Sequence, residues 1–311
     1  MRVGVIGTGA MGRPIAMNCL TAGHSVIVYN RTRAKADELQ SFGAEVASSV
    51  YQTCSCDVVI TILADDAALE DVVFKSQEFF SSFTTNSVHI SASTVSVSMA
   101  RRLANAHADR GVSFLAAPIM GRPEMAVSRR IALLAAGERS AYERCLPVLE
   151  SISQNVRLVS DAPWHANLLK LCGNFLLLSA IETLAEIFAF LPEEGIAPSR
   201  FLEVMDQTLF SIPFYQSYGK RMIAGEFLPS GFRLELARKD SSLLREILNE
   251  RGIRLPINDA IHTRLESAVS QGYKDHDTAA LALTMQYECQ ALFEAHLAGL
   301  ENSRLSQELK Q

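Results

Sequence analysis

The stretch VGVIGTGAMG, residues 3–12, contains the glycine pattern G-x-G-x-x-G at Gly7, Gly9 and Gly12. A β-branched run precedes the pattern and an amphipathic segment follows it, so it predicts a strand, a tight turn and the start of a helix. In such a turn Gly7 permits the sharp reversal, Gly9 lets a ligand approach the backbone, and Gly12 lets the helix pack against the strand. Because the amino terminus of a helix attracts phosphate groups, the stretch predicts a dinucleotide-binding turn.

The same alternation of short β-branched runs and amphipathic segments continues through the first half of the chain. The runs are RVGVI (2–6), SVIVY (25–29), DVVITIL (57–63) and SVHIS (87–91), and the segments after them cover residues 10–22, 33–41, 66–75 and 96–109. This order is typical of βαβ units, which build a parallel sheet covered by helices. Three later runs are expected to extend the sheet: SFLAA (113–117), IALLAA (131–136) and VRLVS (156–160).

The second half of the chain has no strand pattern. Residues 164–191 predict one long helix that begins after Pro163 and ends at Pro192. Its middle is apolar nearly all round, so we expect it to be buried on several sides, as in a helix that passes between two domains or into a dimer. Residues 195–305 predict helices only. Breaks are expected near Pro213, Pro229–Gly231, Pro256 and Gly272.

These patterns predict an α/β fold with three parts. Residues 1–162 are expected to form a Rossmann-type, doubly wound parallel sheet, and residues 163–192 an interdomain helix. Residues 193–311 are expected to form an all-helical domain for substrate binding and oligomerisation. Two domains agree with the length, because 311 residues exceed one ordinary core.

The composition argues against several classes of protein. The net charge is −5 and the 29 Lys and Arg residues are dispersed, so nucleic acid is not an expected partner. The six cysteines and seven histidines show neither a disulfide framework nor the spacing of a metal site. No long apolar run lacks a charge or a breaker, and the first residues leave no room for a signal peptide. We therefore expect a cytoplasmic protein that does not bind membranes.

The end of the second run predicts which dinucleotide is bound. A site selective for NAD places Asp or Glu there to bond both ribose hydroxyls, but this chain has Asn30, Arg31, Thr32 and Arg33. A neutral side chain followed by a guanidinium suits a 2′-phosphate, which arginine holds through paired charge-assisted hydrogen bonds. We therefore predict NADP(H) as the cofactor. The alternative is a solvated loop with two surface arginines.

Several short motifs follow one another in a specific order. They are GxGxMG with AxNxLxxAGHxVxVxNRT (7–32), Ser93 with Thr94, AAPIMG (116–121), KLCGN (170–174), GFRLELARKD (231–240) and GYKDHD (272–277). In this order, over almost its whole length, the chain resembles the β-hydroxyacid dehydrogenases, the family of the hydroxyisobutyrate, tartronate semialdehyde and 6-phosphogluconate dehydrogenases. The resemblance implies hydride transfer between a nicotinamide and a small hydroxyacid or its aldehyde or keto form.

The resemblance assigns Lys170 as the catalytic proton donor and acceptor. The residues agree, because a lysine inside an apolar helix is costly unless it is paired or faces a cleft. Asn174 lies four residues on, so both side chains share one face of the helix, where Asn174 is expected to orient the amine or hold a substrate oxygen. The alternative is a lysine that extends to solvent beside an ordinary surface asparagine.

The resemblance also implies that Phe232 and Lys239 lie near the nicotinamide, with Asp240 at the substrate. For Asp240 a surface pair with Lys239 remains the alternative. The other expected cofactor contacts are Ala10, Met11, Leu63, Ala64 and Thr94. The other expected substrate contacts are Ser93, Met120, Gly121 and Arg122.

Residues 116–122, AAPIMGR, depart from the family's substrate loop, which usually has the sequence DAPVSGG and holds a carboxylate through its serine and glycines. Met120 stands in place of the serine, which makes the pocket more apolar and adaptable. Arg122 stands in place of the last glycine, and it either binds a carboxylate itself or is held by Glu124. Three large aromatic residues either extend this pocket or belong to the core: Phe210, Phe214 and Tyr215.

Two other functions stay open. An imine reductase shares the architecture and the use of NADPH, but many members carry Asp or Tyr where this chain has Lys170. A catalytically silent relative would use the fold for binding or oligomerisation and would lose the lysine. In either case the long apolar helix and the helical second half are hard to bury in a monomer, so a homodimer or homotetramer is expected.

Overall fold

The computed structural model describes residues 1–76 and 79–288, and the chain divides into two units. The first unit comprises Met1–Gly173 and Glu246–Gly252. The second comprises Asn174–Arg245 and the chain from Ile253 onward. The division falls inside the predicted interdomain helix, so the first turns of that helix belong to the first unit.

Within the described residues, the first unit is built on a nine-stranded sheet. The strands are β1 (Arg2–Ile6), β2 (Ser25–Tyr29), β3 (Glu45–Val46), β4 (Val58–Thr61), β5 (Val88–Ser91), β6 (Ser113–Ala116), β7 (Ile119–Met120), β8 (Ala132–Gly137) and β9 (Asn155–Ser160). Strands β3-β2-β1-β4-β5-β6 run parallel in that spatial order, which is the doubly wound dinucleotide-binding topology. The predicted Rossmann-type fold is therefore confirmed.

The three later apolar runs do extend the sheet, but not all in the parallel direction. Strand β8 pairs antiparallel with both β6 and β7, and β9 pairs parallel with β8. The segment between β6 and β8 contains β7 and the five-residue helix α6, and the chain returns along β7 and β6 in the opposite direction, which an antiparallel pair permits without a long crossover.

The strands of the parallel region are buried on both faces, which explains their continuous apolar sequences. In β4, Val58 and Ile60 point into one core and Val59 into the other. Helices α1 (Gly12–Thr21) and α7 (Arg139–Ile152) cover the first face. Helices α3 (Val50–Cys54) and α5 (Val97–Ala108) cover the second.

The remaining helices of this unit are short. They are α2 (Ala34–Asp37), α4 (Asp66–Leu69) and α6 (Pro123–Val127). The predicted helix at 33–41 is thus only one turn followed by a 3₁₀ turn, and the one at 66–75 continues from α4 as a π-helical turn. Helix α3 and strand β3 were not predicted, because each is too short for its periodicity to show.

The second unit is helical throughout its described part. The long helix α8 (Trp164–Phe190) enters it and is followed by α9 (Pro198–Met205), α10 (Pro213–Ala224), α11 (Leu234–Glu250) and α12 (Pro256–Ala268), and residues 281–288 are also helical. Prolines open α9, α10 and α12, where a missing N–H costs nothing, so the predicted breaks at Pro213 and Pro256 are confirmed as helix starts. The prediction for residues 289–305 lies outside the described residues.

Helix α8 is less completely buried than its sequence suggests. Leu171, Leu178 and Ile181 are buried, but Leu176 is 73% exposed. One face of α8 is thus exposed in the single chain, and its burial in a dimer, which the expectation included, stays a prediction. By length and composition alone, Trp164–Glu194 also qualifies as a membrane-crossing helix, with a mean hydropathy of 1.8 over its most apolar window. This is weak support for a membrane span, because the core helices of soluble proteins pass the same test.

Candidate functional site

The predicted cofactor residues of the first unit lie at one edge of the sheet. Since β1, β2, β4 and β5 are parallel neighbours, the loops that follow them meet at their carboxyl ends, where α/β sheets bind ligands. The glycine turn follows β1 and Asn30 follows β2. Leu63 with Ala64 follows β4, and Ser93 with Thr94 follows β5. The sheet therefore brings together segments that are far apart in sequence.

The glycine turn has the geometry that its spacing predicts. Gly7 has φ +101°, which a residue with a side chain rarely adopts. A Cβ on Gly12 would lie 1.8 Å from the carbonyl oxygen of Gly7, so only glycine lets α1 pack this closely. A Cβ on Gly9 would meet nothing within 4 Å. The turn role of Gly7 and the packing role of Gly12 are thus confirmed, and the space beside Gly9 is open to a ligand.

The groups around this turn fit a dinucleotide phosphate. The hydroxyl oxygen of Thr8 is buried and has no hydrogen-bond partner among the described residues, so it is available to a ligand. The ten-residue helix α1 begins immediately after the turn. A cavity of about 460 Å³ borders the turn at Gly9 and Ala10. Its lining includes the cations Arg13 and Lys35 and the carboxylates Glu38 and Glu124, and Arg13 pairs with Glu38 at 3.4 Å.

The segment after β2 contains one arginine that forms neither a hydrogen bond nor an ion pair with the described residues. The side chain of Asn30 accepts a hydrogen bond from the backbone N–H of Thr8 at 3.1 Å and donates one to the carbonyl of Thr32 at 2.9 Å. Arg33 pairs with Asp37 at 3.3 Å. Arg31 is exposed, and within the described ranges it forms no hydrogen bond or ion pair. Asn30 therefore links the two loops. Of the two arginines, Arg31 is the one without an ion pair among the described residues, although, after the hydrogen bond and charge of Lys75, its charge also lowers the pKa of the exposed Asp71.

Ser93, which was predicted to contact substrate, links two loops at the carboxyl edge of the sheet through its hydroxyl group. Its hydroxyl is buried, accepts a hydrogen bond from the backbone N–H of Leu63 at 2.8 Å, and lies 3.5 Å from the carbonyl oxygen of Thr61. It thereby joins the loops that follow β4 and β5, in which Ala64 and Thr94 also lie.

The first turns of α8 are held against the loops at the sheet edge. The side-chain oxygen of Asn167 accepts a hydrogen bond from the backbone N–H of Val95 at 3.3 Å. Two turns later, the methyl carbon of Met120 lies 2.8 Å from the position of a Cβ on Gly173. Lys170 lies between these two contacts and is only 8% exposed. The alternative of a lysine that extends into bulk solvent is therefore wrong.

The second unit contains a buried polar chain that starts one helical turn after Lys170. The side-chain nitrogen of Asn174 donates to a carboxylate oxygen of Asp240 at 2.6 Å, and the other oxygen lies 3.2 Å from the amine of Lys239. Asp240 is 4% exposed, so it is not in a surface pair. Because the amide nitrogen faces the carboxylate, the amide oxygen of Asn174 is left as an acceptor. Phe232 is partly buried against the core of this unit.

The loop after β7 has a strained backbone that requires glycine. Gly121 has φ +151°, and a Cβ there would lie 2.7 Å from a methyl carbon of Ile131. Arg122 follows as the residue that caps α6. The loop therefore fixes the positions of Met120 and Arg122 on either side of Gly121.

Two of the three aromatic residues near position 210 line a cavity of the second unit. Phe210 and Tyr215 line a cavity of about 350 Å³ in the second unit, together with Leu176 and Thr183 of α8, whereas Phe214 packs against the core. At about 100° per residue, Leu176 and Thr183 lie roughly 220–240° around the helix axis from Lys170. This cavity is therefore on another face of α8 from Lys170 and Asn174.

Two family models together match most of the chain. The model described as the NAD binding domain of 6-phosphogluconate dehydrogenase matches residues 2–160. The model described as the NAD-binding domain of NADP-dependent 3-hydroxyisobutyrate dehydrogenase matches residues 165–287. The two matches meet close to the start of α8.

Individual relatives agree with these models. An uncharacterised oxidoreductase of Bacillus subtilis, YfjR, is 39% identical over 90% of this chain and 98% of its own length. The chloroplastic glyoxylate/succinic semialdehyde reductase 2 of Arabidopsis thaliana is 29% identical over 90% of this chain and 78% of its own length. The structure of 3-hydroxyisobutyrate dehydrogenase from Mycobacterium tuberculosis superposes with a TM-score of 0.84 at 22% identity, covering 92% of this chain and 99% of that one.

Proposed function

The chain belongs to the β-hydroxyacid dehydrogenase family of NAD(P)-dependent oxidoreductases, which act on CH–OH groups, and we propose that it uses NADPH to reduce a small aldehyde or keto acid. In the reverse direction it would oxidise the corresponding β-hydroxyacid. The observation that carries the proposal is Lys170, a buried lysine on a helix held against the carboxyl edge of a dinucleotide-binding sheet.

The glycine turn would hold the pyrophosphate of the cofactor. Backbone N–H groups at the start of α1, the space beside Gly9 and the hydroxyl of Thr8 supply the contacts. Arg31 would pair with the 2′-phosphate, which NADP has and NAD lacks. When bound, the cofactor supplies the hydride.

Lys170 would donate the proton in the reduction and accept it in the oxidation. When a carbonyl is reduced, its oxygen develops negative charge, and the ammonium group of Lys170 neutralises that charge by donating a proton. In the oxidation, the neutral amine takes the proton from the hydroxyl. The amide oxygen of Asn174, one helical turn on and oriented by the bond to Asp240, would accept a hydrogen bond from the amine or the substrate hydroxyl.

Replacement of Lys170 by methionine, which keeps the length of the side chain but removes the amine, tests this role. We expect kcat for NADPH-dependent reduction to fall by about 10²–10⁴-fold, because that is the usual contribution of a general acid, while the affinity for NADPH is unchanged. The measurement is NADPH absorbance with glyoxylate, succinic semialdehyde and further small aldehydes and keto acids. Lys220→Met is the matched control, because Lys220 is exposed on α10.

A cyclic imine in the same panel distinguishes the proposal from imine reduction. If the imine were reduced with a higher kcat/KM than every carbonyl compound, and Lys170→Met kept that activity, the assignment of Lys170 would be wrong. Failure to bind NADPH at all would contradict the enzyme assignment itself and favour a catalytically silent relative.

A further inference from the structure

Met120 faces away from the core of the sheet. It ends the two-residue strand β7, where it pairs with Ala132 of β8. Its neighbour Ile119 is buried in the core, and successive side chains of a strand point to opposite sides. The side chain of Met120 therefore projects from the sheet, and its methyl end lies against helix α8 at Gly173.

The contact between Met120 and α8 depends on Gly173. A Cβ on Gly173 would lie 2.8 Å from the methyl carbon of Met120 and 3.7 Å from its sulfur, so any larger residue would displace the methionine. Glycine inside a helix costs about 1 kcal/mol relative to alanine, so its presence within α8 needs a packing reason. The end of the Met120 side chain occupies the space that a side chain at position 173 would need.

This contact lies on the helical turn that carries Lys170. Residues three apart on a helix share a face, so Gly173 and the methionine end beside it lie on the face of α8 that carries Lys170. The thioether has no charge and no hydrogen-bond donor. A carboxylate placed against the thioether would lose its hydrogen bonds to water and find no donor in their place. Burial of an apolar group there would instead be favourable.

We propose that Met120 and Gly173 form an apolar wall beside Lys170, and that this wall selects carbonyl substrates with an uncharged, apolar substituent on that side. The inference rests on the proposed function, because it takes Lys170 as the group that protonates the carbonyl oxygen. It sets this chain apart from relatives named for glyoxylate and succinic semialdehyde, both of which carry a carboxylate.

Matched substrate pairs test the wall. The pairs are glyoxylate with ethyl glyoxylate, and succinic semialdehyde with butanal. We expect kcat/KM to be about tenfold or more higher for the uncharged member of each pair, the range that a small apolar contact supplies. Met120→Ser should remove most of that preference, chiefly by raising KM for the uncharged substrates. Met120→Leu, which conserves the apolar volume, should retain it.

The variant Gly173→Ala changes the helix side of the same apolar wall. We expect it to raise KM for the uncharged substrates while the affinity for NADPH stays unchanged, and the fluorescence of Trp164 reports whether the first unit remains folded.

A preference of the unaltered enzyme for the charged member of both pairs would overturn the inference, since Arg122 would then be the better candidate for recognition. Equal losses in Met120→Leu and Met120→Ser would also overturn it. Absence of turnover with every carbonyl compound would instead contradict the proposed function.

Discussion

The choice between NADPH and NADH depends on very few atoms at the end of β2. Asn30 uses its amide to bridge the glycine turn and its own loop, so it is not free to bind both ribose hydroxyls as a carboxylate does. Arg33 is already paired with Asp37. Of the two arginines in this loop, Arg31 is therefore the better partner for a 2′-phosphate.

We expect Arg31→Gln to raise KM for NADPH by about 10- to 100-fold, because a charge-assisted bidentate contact is lost, and to change KM for NADH little. Steady-state kinetics with both cofactors measure the effect. Arg33→Gln is the matched control and should leave the ratio of the two KM values unchanged. Equal effects of the two variants would show that the loop acts only through its overall charge.

Single residues differ in how well the sequence predicts them. The roles of Gly7 and Gly12 follow from local spacing, because the turn and the helix that need them are formed within six residues. The role of Asn167 was missed, since it depends on a neighbour brought close only by the fold, and the buried, unpartnered hydroxyl of Thr8 was missed because burial is not visible in the sequence. The brace formed by Asn30 was missed for the same reason, although the residue itself was singled out.

At the level of elements, a buried histidine pair joins strand β5 to helix α5. Nδ1 of His89 lies 2.8 Å from Nε2 of His107, Nδ1 of His107 bonds the carbonyl of Leu103 at 2.7 Å, and Nε2 of His89 bonds the hydroxyl of Thr61 at 3.0 Å. Because a carbonyl only accepts, His107 donates from Nδ1 and accepts at Nε2, His89 donates to it, and the Thr61 hydroxyl donates to His89. With both rings neutral, this arrangement satisfies all four ring nitrogens.

Burial makes this pair sensitive to acid. Desolvation, opposed in part by the hydrogen bond to Leu103, lowers the pKa of His107 from 6.5 to about 4. Desolvation, with the neighbouring imidazole second, lowers the pKa of His89 well below its usual value. Below about pH 6.5 the histidines of the unfolded chain therefore bind protons, whereas the same histidines in the folded chain stay neutral. Stability is fully present above that pH and is lost as the pH falls, by about 3 kcal/mol for His107 at pH 4.

We expect the free energy of unfolding of the first unit to fall between pH 7 and pH 5, with a smaller fall in His107→Gln, which no longer titrates. Urea titrations followed by the fluorescence of Trp164, the only tryptophan of the chain, measure it within that unit. His165→Gln, which changes an exposed histidine, should keep the full dependence on pH. An unchanged pH dependence in His107→Gln would show that other groups titrate.

For the whole molecule, the sequence predicts elements better than it predicts their directions. The βαβ rhythm defines the parallel strands, because a parallel pair requires a crossover helix. The antiparallel pairing of β8 follows from tertiary contacts that no periodicity records. Helix α8 was predicted in full, but its division between two units at Gly173 depends on packing and not on its uniform apolar sequence. The cytoplasmic location stays a prediction.

Oligomerisation is the last property that the sequence predicts and that an experiment can decide. Leu176 and Leu209 are 73% and 82% exposed, and Phe210 and Ile212 are also exposed in the same unit. Soluble monomers rarely expose such residues together, so we expect a second copy of the chain to cover them. Light scattering should then give twice or four times the chain mass of 34.1 kDa. Leu176→Glu combined with Leu209→Glu should lower that mass, because burying the added charges is costly, whereas Ile257→Glu, at a similarly exposed position on α12, should not. A monomer at micromolar concentration would contradict the prediction and leave the apolar face of α8 without a partner of its own kind.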